Sequence, residues 1–302
     1  MDYAISRSGS GLPSRIVLHG TEGIGKSTFG AFAPKPVFAM TNKETGLLTL
    51  LDNGLVPATD HFDEIATWPN LLGTINYLLA TPRENRTFVL DTINGAERLC
   101  FEHVAKLNYQ GDWEKFINFG KGPNIASNEY WPELLEMLEK LRRDRRMMII
   151  LLAHSKVKTF KNPFGDDYDR FVPEMHEKTW GHVAKWADII MFGNFDVIAD
   201  KAKGELKAKG KSDGSRSLYT VRSAAYDAKN RHGLPTRISM GKQPHEGWAN
   251  FAAAMKAVRK NGKPEEPAPV ATSFVDDADP QKALAEVVSN AVNTPLEDQI
   301  PF

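Results

Sequence analysis

Gly20-Thr21-Glu22-Gly23-Ile24-Gly25-Lys26-Ser27-Thr28 is the stretch that decides the fold. Its first eight residues fit G-x-x-x-x-G-K-[ST] in full. The run Arg15 to His19 precedes it and reads as a short apolar strand; a helix through about Phe32 follows. Strand, Gly-rich turn and helix, in that order, form the context in which the pattern signifies a phosphate loop. Glycines let backbone N–H groups close around phosphate oxygens, and the positive end of the helix adds to them. Lys26 is then the group for the β- and γ-phosphates, and the Ser27 hydroxyl is a ligand for Mg²⁺. The expected cofactors are ATP and Mg²⁺.

Working outward, strands are expected at Pro36 to Met40, Thr87 to Asp91 and Met147 to Ala153. Helical spacing marks Trp68 to Ala80, Asn94 to Leu107, Trp131 to Arg143, Trp180 to Trp186 and Trp248 to Val258, with a helix or turn at Leu47 to Leu51. Tyr109 to Ser127 and Ser155 to Thr179 read as loops. Asp188 to Ile198 and Ser217 to Ser223 read as strands separated by a Lys/Gly tract. Strands alternating with helices predict an α/β fold, a mostly parallel sheet flanked by helices, with the later strands as an antiparallel extension.

Phe88-Val89-Leu90-Asp91 is an apolar strand ending in Asp, the pattern of a Walker B element, so Asp91 is expected to share the metal with Ser27. The alternative is a helix cap. Thr92 follows, so no Glu stands next to Asp91 to orient water. Glu44, just past the second strand, is the best other carboxylate, because carboxyl ends of neighbouring strands converge on the ligand crevice. His154 ends the strand Met147 to Ala153.

A Walker B Asp without an adjacent Glu, and a Glu after an earlier strand, resemble the RecA-like ATPases. The resemblance implies that His154 is a γ-phosphate sensor. Ala228-Lys229-Asn230-Arg231-His232-Gly233-Leu234-Pro235 resembles the Lys-Asn-Arg-aromatic-Gly motif of RadA/Sms-type proteins, and more closely phage-encoded RecA-like proteins of single-strand annealing. It covers about residues 14–260 and departs at Asn42, where such chains often carry an acid. It implies that Lys229 and Arg231 act on a neighbouring subunit's γ-phosphate, hence a homo-oligomeric ring or filament. A basic surface turn is the alternative. A cytoplasmic setting is expected separately, from the single cysteine and the polar stretch Met1 to Ser14.

Three segments are candidates for single-stranded DNA, because basic residues track phosphates while aromatics stack on bases. The first holds Trp113, Lys115, Phe119 and Lys121; the second Lys156, Lys158, Phe160, Lys161 and Arg170; the third Lys207, Lys209 and Lys211. Core or oligomer contacts for the aromatics, and plain solvation for the lysines, are the alternatives.

The 302 residues carry no net charge, yet residues 264–302 hold eight acids and one base, so they carry −7 and residues 1–263 carry +7. An arm (1–13), an ATPase domain (14–262) and a disordered acidic tail (263–302) are expected, the last from its Pro/Ala/Asp-rich composition. Its tip, Asp298-Gln299-Ile300-Pro301-Phe302, resembles that of bacterial single-strand DNA-binding proteins, which implies docking through Asp298, Ile300, Pro301 and Phe302 to such a protein or to partners that read its tip. No apolar run approaches the roughly 18 residues of a membrane helix, so no membrane partner is expected. The lone Cys100 falls in an apolar helical pattern and reads as core.

The resulting expectation is an ATP-dependent annealing or recombination protein. A helicase or helicase loader, and a nucleotide-switched interaction protein, are the alternatives.

Overall fold

The computed structural model describes residue 9 and residues 11–196, 198–200, 209–211 and 214–261. Lys207 and the tip Asp298 to Phe302 lie outside the described residues.

The first half alternates strand and helix, as its apolar periodicity requires: β1 (Arg15–Gly20), α1 (Lys26–Ala31), β2 (Pro36–Met40), α2 (Gly46–Asp52), β3 (Asp60–His61), α3 (Trp68–Ala80), β4 (Thr87–Asp91) and α4 (Ile93–Tyr109). Then come α5 (Trp113–Ile117), α6 (Lys121–Ile125), α7 (Trp131–Asp144), β5 (Met148–Phe160), β6 (Tyr168–Pro173), α8 (Glu177–Trp186) and β7 (Ile189–Phe195). The remainder is β8 (Ile198–Asp200), β9 (Lys209–Lys211), β10 (Arg216–Tyr219), β11 (Lys229–Asn230), β12 (Arg237–Ser239) and α9 (Glu246–Asn261).

The main sheet runs β12-β10-β7-β1-β5-β4-β2-β3. From β7 to β3 every neighbouring pair is parallel. β10, β11 and β12 form the expected antiparallel extension. Strand alternation sends successive side chains to opposite faces. Ile16, Leu18, Phe38, Val89 and Ile150 pack with Phe29 of α1 and Phe251 of α9 on one face. Val17, Val37, Phe88, Leu90 and Ile149 pack with α3, α4 and α7 on the other. Each such fully buried side chain contributes about 1.5–3 kcal/mol. Cys100 is buried in the second cluster, as expected.

Parallel strands bring their carboxyl ends to one edge. Gly20 pairs in register with His154, and Met40 with Asp91. The chain therefore delivers the P-loop, Asp91 and His154 to a common crevice before any side chain is considered.

Two expected loops are structured. Residues 109–127 are mostly helical: α5, α6, a 3₁₀ turn and one π turn. Phe116 is fully buried there. Gly122 lets it in, since a Cβ on that glycine would stand 2.2 Å from the ring. Burial overrides the loop-like Gly and Asn content. Residues 155–179 contain a hairpin, because β5 continues to Phe160 and pairs with β6. Its signal was available in the alternation Lys156-Val157-Lys158-Thr159-Phe160 followed by the turn Asn162-Pro163-Phe164-Gly165. Among the described residues no helix is long and apolar enough to cross a membrane.

Candidate nucleotide-binding site

β1 ends at Gly20 and α1 begins at Lys26, leaving Thr21, Glu22, Gly23, Ile24 and Gly25 to make the turn. Gly25 caps α1 with φ +99°, a conformation side-chain-bearing residues rarely adopt. Gly20 is needed for a different reason: a Cβ there would lie 2.4 Å from the carbonyl oxygen of Gly193 on β7. Lys26 is 7% exposed. Its ammonium donates to the carbonyls of Gly20 (3.2 Å) and Thr21 (3.0 Å), folded into the concavity of the loop. Burial lowers its pKa, opposed chiefly by Asp91 and then Glu44. A buried ammonium satisfied by carbonyls of a glycine-rich turn fits a polyphosphate, whose oxygens are stronger acceptors.

Ser27 Oγ donates to Asp91 Oδ2 at 2.6 Å. Burial pushes the Asp91 carboxyl up to about 6, and the Ser27 hydrogen bond pulls against it. A hydroxyl and a buried carboxylate in contact are the hard oxygen donors that a divalent cation takes. The next residue, Thr92, caps α4 by accepting from Gly95 N at 3.2 Å. The cap that Asp91 might have supplied thus comes from Thr92, leaving Asp91 to Ser27.

Glu44 follows β2 on a turn in which Asn42 and Lys43 both have positive φ. His154 Nε2 donates to Glu44 Oε1 at 3.0 Å, joining groups 110 positions apart. Asn94, in the first turn of α4, fixes the other partner: its Oδ1 accepts from His154 N at 2.8 Å. The β2–α2 turn lies against the P-loop, since a Cβ on Gly46 would be 3.4 Å from Ser27 Oγ. Lys26, Ser27, Glu44, Asp91 and His154 are therefore gathered at one strand edge.

Sequence reasoning missed two contributors. Arg216, at the start of β10, donates to the carbonyl of Ile24 at 3.3 Å and of Gly241 at 3.5 Å. It braces the outside of the P-loop. His19 is fully buried beneath Gly20; its Nε2 donates to the Asp227 carbonyl at 2.7 Å, so in the neutral ring Nδ1 accepts from Ser155 Oγ at 2.9 Å. A polar residue inside an apolar strand was the only signal for it.

Lys229 and Arg231 sit at the other end of the sheet. Lys229 does not have the free ammonium expected of it: Nζ donates to the carbonyls of Ala184 (2.6 Å), Ala187 (2.7 Å) and Lys185 (3.3 Å), closing the C-terminus of α8. Arg231 is half-exposed and paired with Asp188 only at 3.7 Å. Neither reaches its own chain's P-loop, because Asp188 holds Arg15 at the opposite end of β1.

The DNA candidates separate likewise. Lys156, Lys158 and Lys161 are exposed along the β5–β6 hairpin, with Phe160 packed on Tyr168. Arg170 does not share that exposure. It is 5% exposed and ion-paired with Asp227 at 2.5 Å, so it anchors the hairpin instead of reaching a strand of DNA. Trp113 stacks on Phe116 under the Arg98 guanidinium, a packing role in place of the expected base contact. Phe119 remains 88% exposed beside exposed Lys121, while Lys115 pairs with Asp112. Lys209 and Lys211 are described only as backbone, in β9 paired with β8.

This sheet and this strand-edge site define a P-loop ATPase. Among known families, the AAA domain matches residues 12–232, and the chain belongs to that family. Membership implies ATP binding and hydrolysis in general. A search of curated proteins returned no match.

Proposed function

We propose that this ATPase binds single-stranded DNA and uses ATP in strand annealing or recombination. One observation carries the reading. His154 touches Glu44 in the nucleotide crevice, and its own strand, β5, runs unbroken into the lysine-bearing hairpin. A shift of Glu44 or His154 on nucleotide binding has a rigid element through which to move Lys156, Lys158 and Lys161.

Bound ATP·Mg²⁺ supplies the phosphoanhydride and a Lewis acid. Ser27 and Asp91 are the residues to hold the metal, and Lys26 exchanges its loop carbonyls for phosphate oxygens. Glu44 orients the attacking water, and His154 holds Glu44 in place through Nε2. Hydrolysis at subunit interfaces belongs to the same proposal. Arg231, loosely paired and half-exposed, is the candidate for stabilising transition-state charge on a neighbour's nucleotide. With Lys229 committed to α8, the trans role rests on Arg231 alone. The acidic segment, through Asp298, Ile300, Pro301 and Phe302, is proposed to recruit a single-strand DNA-binding protein or its partners.

The test is ATPase rate against single-stranded DNA for wild type and Lys26→Ala. Wild type should accelerate with DNA and anneal complementary strands, and the variant should lose activity at least about 100-fold. A flat response in wild type removes the DNA reading and leaves a nucleotide-switched interaction protein; strand displacement indicates a helicase.

A further inference from the structure

Beneath the β5–β6 hairpin lies a cavity of about 470 Å³. That volume is within the range of small-ligand sites, roughly 300–1,000 Å³. Its apolar lining comes from Phe160, Val172, Met175 and Trp180, and Lys156, Lys158, Lys161 and Arg222 supply cations, of which Lys161 is paired with Asp167 at 2.5 Å and Arg222 lies 3.8 Å from Asp227. Two acids, Glu177 and Asp227, also line it, but each already faces a cation: Lys158 at 3.3 Å and Arg170 at 2.5 Å. Apolar walls with a cationic margin are the complement of an aromatic ring that carries a phosphate.

Arg170 fixes one wall of the cavity: it lines it, is 5% exposed and is ion-paired with Asp227.

We propose that this cavity takes one unstacked nucleotide of a DNA strand, with the base against Trp180 and Phe160 and its phosphates on Lys156 and Arg222. The proposal rests on the DNA reading above and makes it more specific. Only a single strand can offer an unstacked base without first breaking a pair, so the cavity, and not the lysines, selects single strands over duplex. Lysines alone would bind either form.

The experiment uses the full chain and three probes: an oligo-dT strand, a strand of equal length with abasic sites throughout, and a duplex. Binding is read by anisotropy at fixed salt. Oligo-dT should bind about tenfold or more tightly than either other probe, within the range for base–aromatic stacking. Phe160→Ala, at the half-exposed hairpin, should reduce oligo-dT affinity about tenfold and leave the abasic strand unaffected. Trp180→Leu should do the same, and because Phe160→Ala and the wild-type comparison stand without it, its misfolding would not decide the matter. Equal affinity of wild type for dT and abasic strands overturns the pocket while leaving DNA binding intact. Failure of every probe to bind overturns the DNA reading and the pocket with it.

Discussion

His19→Gln should remove a pH dependence built into the strand that carries the P-loop. His19 is fully buried, and burial lowers its pKa from 6.5 to about 4, against the opposing pull of its bond to the Asp227 carbonyl. The folded state therefore keeps the ring neutral under conditions in which the unfolded chain protonates it. A depressed folded-state pKa means the stability is present above pH 6.5 and is lost as the pH falls towards about 4. Between pH 7.5 and pH 5.0 the unfolded histidine becomes almost fully charged while the buried one stays mostly neutral. Linkage converts that difference to about 2 kcal/mol, or a fall in Tm of about 4–8 °C for a domain of this size. Glutamine can reproduce both bonds, its amide N–H to Asp227 and its amide oxygen to Ser155, without titrating over this range. Urea unfolding at the two pH values, wild type against His19→Gln, isolates the effect from the carboxylates common to both. Wild type should lose about 2 kcal/mol more than the variant on acidification. Equal losses would refute the claim that His19 is held neutral by burial.

Gly20→Ala should destabilise the fold by about 1–3 kcal/mol or more and abolish nucleotide binding, because its Cβ meets a backbone oxygen 2.4 Å away that cannot move without parting β1 from β7; an unchanged denaturation midpoint would contradict the register. Lys229→Met should cost about 1–2 kcal/mol through loss of the α8 C-terminal cap, whereas Arg231→Ala should change stability by under about 0.5 kcal/mol yet slow hydrolysis in the assembled protein. The two outcomes reversed in calorimetry would exchange their roles. Arg216→Ala should raise the KM for ATP several-fold with a smaller effect on kcat, since the arginine braces the Ile24 carbonyl and touches no reacting group; Arg216→Lys should recover part of it, and an unaltered KM would exclude the brace.

The local chemistry of this chain was legible from its residues. The G-x-x-x-x-G-K-S run needs a turn between strand and helix, and alternating apolar runs ending at Gly20, Met40 and Asp91 need a wound parallel sheet. Those requirements are satisfied within a few neighbouring residues, so sequence states them. It also proposed Glu44 and His154 separately, each from its place at a strand end. That one donates to the other followed only from the register of β2, β4 and β5, which sets residues 110 positions apart at 3.0 Å. The same holds where the reading changed. Lys229 and Arg170 are basic residues in basic segments, and nothing local distinguishes them from Lys156 or Arg231. The end of α8 claims one and Asp227 the other. Arg216 reached the P-loop because β10 joins the sheet antiparallel beside β7. Sequence thus determined which groups this protein has for phosphate chemistry. Tertiary structure decided which cations are already neutralised within the fold and which remain for a ligand, because a charge's partner is set by strand pairing across the whole chain.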